Sequence, residues 1–279
     1  MDTYFKRLTV IRFFMLFLIF YIIAGVSGAY ISENITNSVY INLVNILFYI
    51  ILYILIVRVP LSKVDRKKIH YNPKEDKLKP LLLISPFFIL NLSSVIYIQI
   101  LNLIDSSLVD RYLDSPNLTS NLEIYEDPVK IAIFFLVIVV MAPIVEELVF
   151  RGVLFNLLNK SIKTLPAMIL SSLFFGVLHS KTFIPTAIIG FLICFIYQKT
   201  GNIKYSIMAH MFNNLIAFVM PLLTGNIIPN ETMLLYTGII VIILDIFFAF
   251  YVIKYLKDNK EYFKINSPLK RMNIYTEAL

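Results

Sequence analysis

An all-α bundle of about eight transmembrane helices is the fold class that this 279-residue sequence predicts, on three observations. Composition is the first: 58% of the residues are hydrophobic, 15% are charged and mean hydropathy is +0.78, far from a soluble domain. The second is a series of apolar runs of membrane-spanning length. The third is the placement of basic residues in alternate loops.

A hydrocarbon core about 30 Å thick needs roughly 20 apolar residues in a helix. Eight stretches qualify: 9–30, 38–59, 80–104, 129–158, 164–180, 183–198, 203–224 and 232–256. The first follows Lys6, Arg7 and Arg12 and contains the small residues of "GVSGA", a pattern shared with secretory signals. Its apolar stretch outruns the roughly 7 to 15 residues of a signal core, so an uncleaved helix is expected. The second ends at Arg58 and the third opens at Pro80, with a basic loop between them. Pro143 predicts a kink in the fourth. The fifth and sixth are short, and Pro185 makes their junction the weakest point of the series. The seventh contains His210, and the eighth has Asp245 in its middle, suited to a relay or to a simple buried hydrogen bond.

An even number of crossings puts both ends on one side. Of the 25 Lys and Arg residues, 21 fall in the terminal segments and in the loops that share that side. By the positive-inside rule both termini and the loop 58–79 are cytoplasmic, and the acidic loop 105–128 faces outward. The net charge of +7 is therefore a topology signal of a multi-pass cell-membrane protein, with the bilayer as partner and not nucleic acid. A single cysteine, Cys194, excludes an internal disulfide framework and a multi-cysteine zinc site. The chain divides into N-terminal helices with the acidic loop (1–128), a charge-bearing core (129–224), and a last helix with a basic tail (225–279).

The core carries the chemistry. "APIVEELVFRG" (142–152) places Glu146, Glu147 and Arg151 in an apolar helix. An ionisable group at that depth costs at least ~2.5 to 3.5 kcal/mol, so it is retained where it pairs, faces a cavity or works. Glu147 and Arg151, at i and i+4 with the acid first, are expected to neutralise each other. Glu146 projects about 100° around the helix and is left over. Two of the three histidines, His179 and His210, also lie in apolar segments, whereas His70 lies in the basic loop. Phe175 shares a face with His179, and Asn214 with His210. Helical rise allows Glu146, His179, His210 and Asn214 to meet at one depth. The alternative is one buried network that fixes helix packing.

"EELVFR", "FGVLH" and "HMFNN" match the patterns EExxxR, FxxxH and HxxxN, in the order found in the CPBP family of intramembrane proteases. That family includes the Rce-type CAAX prenyl endopeptidases and the bacterial Abi proteins, and the resemblance covers about 129–224. It implies an intramembrane endopeptidase acting on a membrane-associated peptide or protein, in precursor processing or self-immunity. It also implies that Glu146 and His179 activate a water and that His210 and Asn214 stabilise the oxyanion. Glu147 and Arg151 would then be supports and Phe175 a wall of the substrate pocket, with no cofactor required.

Three rivals stand beside this reading. Glu146, His179 and His210 could form a His₂Glu zinc set, although no HExxH occurs. "GVSG" with Ser27 is a weak rhomboid-like pattern. A transporter or a non-catalytic immunity protein could use the same groups as a relay, but no internal repeat supports it.

Overall fold

The computed structural model describes residues 5–34, 38–69, 78–113, 127–179, 182–224 and 231–271. Regular structure among them is helical throughout. Among the described residues six helices are long and apolar enough to cross a membrane. His70 lies outside the described residues.

The order begins with α1 (Val10–Asn34) and α2 (Ser38–Tyr53), which continues as a π-helical turn over Ile54–Arg58. A short α3 (Lys63–Ile69) follows in the basic loop, then α4 (Pro80–Ile104) and α5 (Ser106–Leu113). Pro128–Ser161 is one composite helix. Its α-helical parts are α6 (Pro128–Phe135), α7 (Ala142–Glu147) and α8 (Asn156–Ser161), joined by π-helical segments at Leu136–Met141 and Leu148–Phe155. The series closes with α9 (Thr164–Val177), α10 (Phe183–Thr200), α11 (Ile203–Thr224) and α12 (Glu231–Asp258).

All eight expected stretches thus coincide with helices, and the local chemistry explains several ends. Asp127 caps the composite helix by accepting from the Val129 amide at 2.8 Å, and Pro128 supplies a first turn that needs no donor. Gly201, at φ 64°, closes α10 in the left-handed conformation that glycine adopts without a Cβ penalty. α9 is the short one, with 14 residues covering about 21 Å against a hydrocarbon core of roughly 30 Å. It forms one arm of a tight antiparallel hairpin with α10. The arms approach closely because Gly176 lacks a side chain: a Cβ there would lie 2.6 Å from the Phe183 carbonyl oxygen.

Three groups of helices position the site. α1 and α2 pack on one flank of the composite helix, α4 and α12 lie on the far flank, and α9, α10 and α11 fill the middle. Phe17 of α1 meets Phe150 and Phe174 at centroid distances of 6.2 and 5.1 Å, tying the first flank to the middle. The tail after α12 folds back under the bundle. Gln198 Nε2 donates to the carbonyls of Tyr262, Ile265 and Asn266, the amide of Ser267 donates to Asn159 Oδ1, and Leu269 is fully buried.

Candidate active site

Pro143 shapes the helix that carries the two glutamates. It has no amide hydrogen and its ring crowds the preceding turn, so the chain widens into the π-helical segment just before it. There the amide of Ala142 donates to the carbonyl of Val137, five residues back. The next donor in that register would be residue 143, a proline, which leaves the Ile138 carbonyl without a backbone partner. Asn214 of α11 supplies one, with its Nδ2 at 2.8 Å. Asn214 also accepts from Asn213 Nδ2 at 3.0 Å.

Glu147 and Arg151 form the expected pair, Oε1 to Nη1 at 2.8 Å, with side chains 0% and 1% exposed. Such a pair, withdrawn from water, leans on its further hydrogen bonds; those of Glu147 fall on Oε1, and its Oε2 is buried without a partner among the described residues. Arg151 Nη2 donates to the Gly190 carbonyl of α10 at 2.9 Å, and its guanidinium lies over the Phe175 ring, 4.5 Å from the centroid. Gly190 keeps that slot open, since a Cβ there would be 3.1 Å from Phe175 and 3.4 Å from Arg151 Nη2. Glu147 has a second partner that the spacing does not announce: His210 Nδ1 lies 2.9 Å from the same Oε1. His210 is buried between the acids, with Nε2 3.9 Å from Glu146 Oε2.

Glu146 faces elsewhere. Its side chain is 15% exposed and lines a cavity of about 380 Å³ between α1, α2, the composite helix and the tip of α9. Phe17, Phe20, Phe48, Leu52 and Phe150 make the walls apolar, and Asn45, Tyr49, Glu146 and His179 are its main polar points. His179 follows the end of α9. Its Nδ1 is 2.8 Å from the Phe175 carbonyl oxygen and its ring packs 4.6 Å from the Phe175 ring, so Nε2 is the nitrogen left for chemistry. Tyr49 donates to Glu146 Oε1 at 3.0 Å.

The sequence-derived residues therefore separate into two shells. Glu146 and His179 share the cavity, and His210 reaches toward Glu146 from behind it. Glu147 and Arg151 are enclosed in the packing. Asn214 ties α11 to the widened turn and is not among the cavity walls. Phe175, expected as a pocket wall, is 1% exposed and lies beneath Arg151 between the two histidines; its ring is needed to cover the guanidinium. Ser27 is not part of the cavity. Asp245 accepts from Asn91 Nδ2 at 2.6 Å in the α4–α12 contact. Among the described residues no group of three His, Cys, Asp or Glu side chains is placed so as to hold a metal ion.

Comparison with known proteins bears on the same segment. Residues 128–216 match the family model described as type II CAAX prenyl endopeptidase Rce1-like. This part of the chain is similar to that family. It holds all three motifs and the two π-helical segments of the composite helix, from Pro128 to the middle of α11. A Mycoplasma capricolum protein, named only as uncharacterized, is 30% identical over 218 residues, 73% of this chain and 62% of its own length. A Bacillus subtilis protein named "Putative membrane peptidase YdiL" is 32% identical over 85 residues, 30% of this chain and 35% of its own. The match thus spans less than two thirds of either relative. No solved structure matches the chain at a significant level.

Proposed function

We propose that this protein is an intramembrane endopeptidase that hydrolyses a peptide bond in a membrane-associated peptide or protein, with water activated by Glu146 and His179. The observation that carries the reading is the division of labour between adjacent acids. Glu147 is consumed by Arg151 and His210, whereas Glu146 faces a cavity that also receives His179. The Rce1-like match and the membrane-peptidase name of one relative support the same reaction class.

The chemistry follows from the groups at the cavity. A water held between Glu146 and His179 gives a proton to the carboxylate as its oxygen attacks the scissile carbonyl carbon. Charge then develops on the carbonyl oxygen, where a donor gains strength in a water-poor site. His210, with Nδ1–H donating to Glu147 and a second proton carried on Nε2, and Asn214 are assigned to that charge. For Asn214 this uses the amide hydrogen not given to Ile138, after a small rotation toward the cavity. The carbon–nitrogen bond breaks as the proton passes from Glu146 to the leaving amine. The apolar walls suit a substrate delivered from the bilayer, and both termini are assigned to the cytoplasm.

The test uses the full-length protein in lipid nanodiscs with a panel of synthetic apolar transmembrane peptides, read by mass spectrometry. Wild-type protein should release defined fragments and Glu146→Gln should not. Equal fragment release by both proteins would remove Glu146 from the reaction.

A further inference from the structure

The composite helix does not orient Glu146 by itself. The last torsion of a glutamate side chain is broad and roughly two-fold, so a carboxylate standing in a cavity presents either oxygen, in either plane, unless a donor holds it. Within the Rce1-like segment, His210 Nε2 approaches Glu146 Oε2 to 3.9 Å, beyond hydrogen-bond reach. The donor comes from outside that segment: Tyr49 of α2, whose hydroxyl lies 3.0 Å from Oε1.

The position of Tyr49 is specific. α2 packs against α6, the first π-helical segment and α7, the stretch of the composite helix that leads up to Glu146. Asn45, one turn before Tyr49, and Leu52 line the same cavity, so this face of an otherwise apolar helix is turned toward the site and not toward lipid. A phenol has one hydrogen to give, and here it goes to the carboxylate. With Oε1 held, Oε2 is the oxygen that looks toward His210 and remains to take a proton from water.

We propose that Tyr49 is the positioning residue of Glu146: by donating to Oε1 it fixes the carboxylate plane and commits Oε2 to the water. This assignment rests on the intramembrane-protease reading and extends the site to the N-terminal helices. Tyr49 acts through Glu146 and touches no reacting atom.

The experiment is Tyr49→Phe, which removes the hydroxyl and keeps the ring, assayed with the peptide on which the wild-type protein shows Glu146-dependent cleavage. Loss of a hydrogen bond to a charged group should lower kcat about 10- to 100-fold, with KM and melting temperature unchanged. Independently of turnover, the carboxylate stretch isolated by the infrared difference between wild type and Glu146→Gln should shift in Tyr49→Phe. A wild-type kcat, or a fall in kcat matched by a fall in melting temperature, would overturn the assignment. Full activity of Glu146→Gln would instead sink the protease chemistry and this assignment with it. An inactive Glu146→Gln beside a fully active Tyr49→Phe would sink the assignment alone.

Discussion

Asp245 and Glu146 are both carboxylates carried into the bundle by apolar helices, and their surroundings differ in kind. Asp245 is fully buried where α12 meets α4. One oxygen takes the Asn91 amide at 2.6 Å, and the Phe88 and Phe248 rings of the same contact stack at 4.2 Å. Its other oxygen, Oδ1, is buried without a hydrogen-bond partner among the described residues. Glu146 accepts from Tyr49 and borders about 380 Å³ of space that His179 also lines. Both stand in apolar helices, so that setting does not distinguish them. What separates them is a substrate-sized space beside Glu146 that His179 also lines.

The sharpest way to break this contrast is Glu146→Gln. General base catalysis is worth roughly 10²- to 10⁴-fold, so kcat should fall by that factor while membrane level and melting temperature stay at wild-type values. A melting temperature that falls in step with activity would make Glu146 a packing residue like Asp245. The next effect is on stability. Glu147→Gln strands the Arg151 charge in a buried slot, a loss of about 3 to 5 kcal/mol. Thermal unfolding in detergent should separate it clearly from Glu146→Gln, and coincident curves would dissolve the pairing argument. Asp245→Asn is expected to be mild, within roughly 1 kcal/mol, with wild-type cleavage; a dead enzyme would promote Asp245 to the reaction. Smallest of all is the response to a strong chelator, which should leave cleavage unchanged. Inactivation that zinc reverses would show that the histidines gather around a metal in the working enzyme.

Much of this was legible beforehand because bilayer physics leaves few choices. Apolar runs must be helices there, and all eight appear at their expected positions. The Glu147–Arg151 pair followed from i, i+4 geometry alone. Other features depend on contacts across the chain, for which a single sequence carries little signal. Tyr49 is one of 17 tyrosines and lies 97 residues from its partner, in a helix whose own pattern is only apolar. The His210 contact with Glu147 needed the path of α11, since a histidine one helix away could equally have met Glu146 first. Pro143 did announce a disturbance, yet its form, a widened turn whose freed carbonyl is met by Asn214, required the register of two helices at once. The sequence marks the tail only as basic, and nothing in its composition signals that Ser267 and Leu269 are fully enclosed.

That docked tail sets a rule for handling the protein. Gln198 grips three successive stretches of its backbone, and Asn159 and Thr164 bind it from the junction of α8 and α9. Leu269 reaches the Asn156 side chain, which also bonds the Arg151 carbonyl within the helix that bears the glutamates. A chain cut after α12 would therefore lose a latch on that helix as well as a few surface charges. Purification tags, fluorescent fusions and topology reporters belong beyond Arg271, where the latch stays closed and the reporter describes the intact molecule.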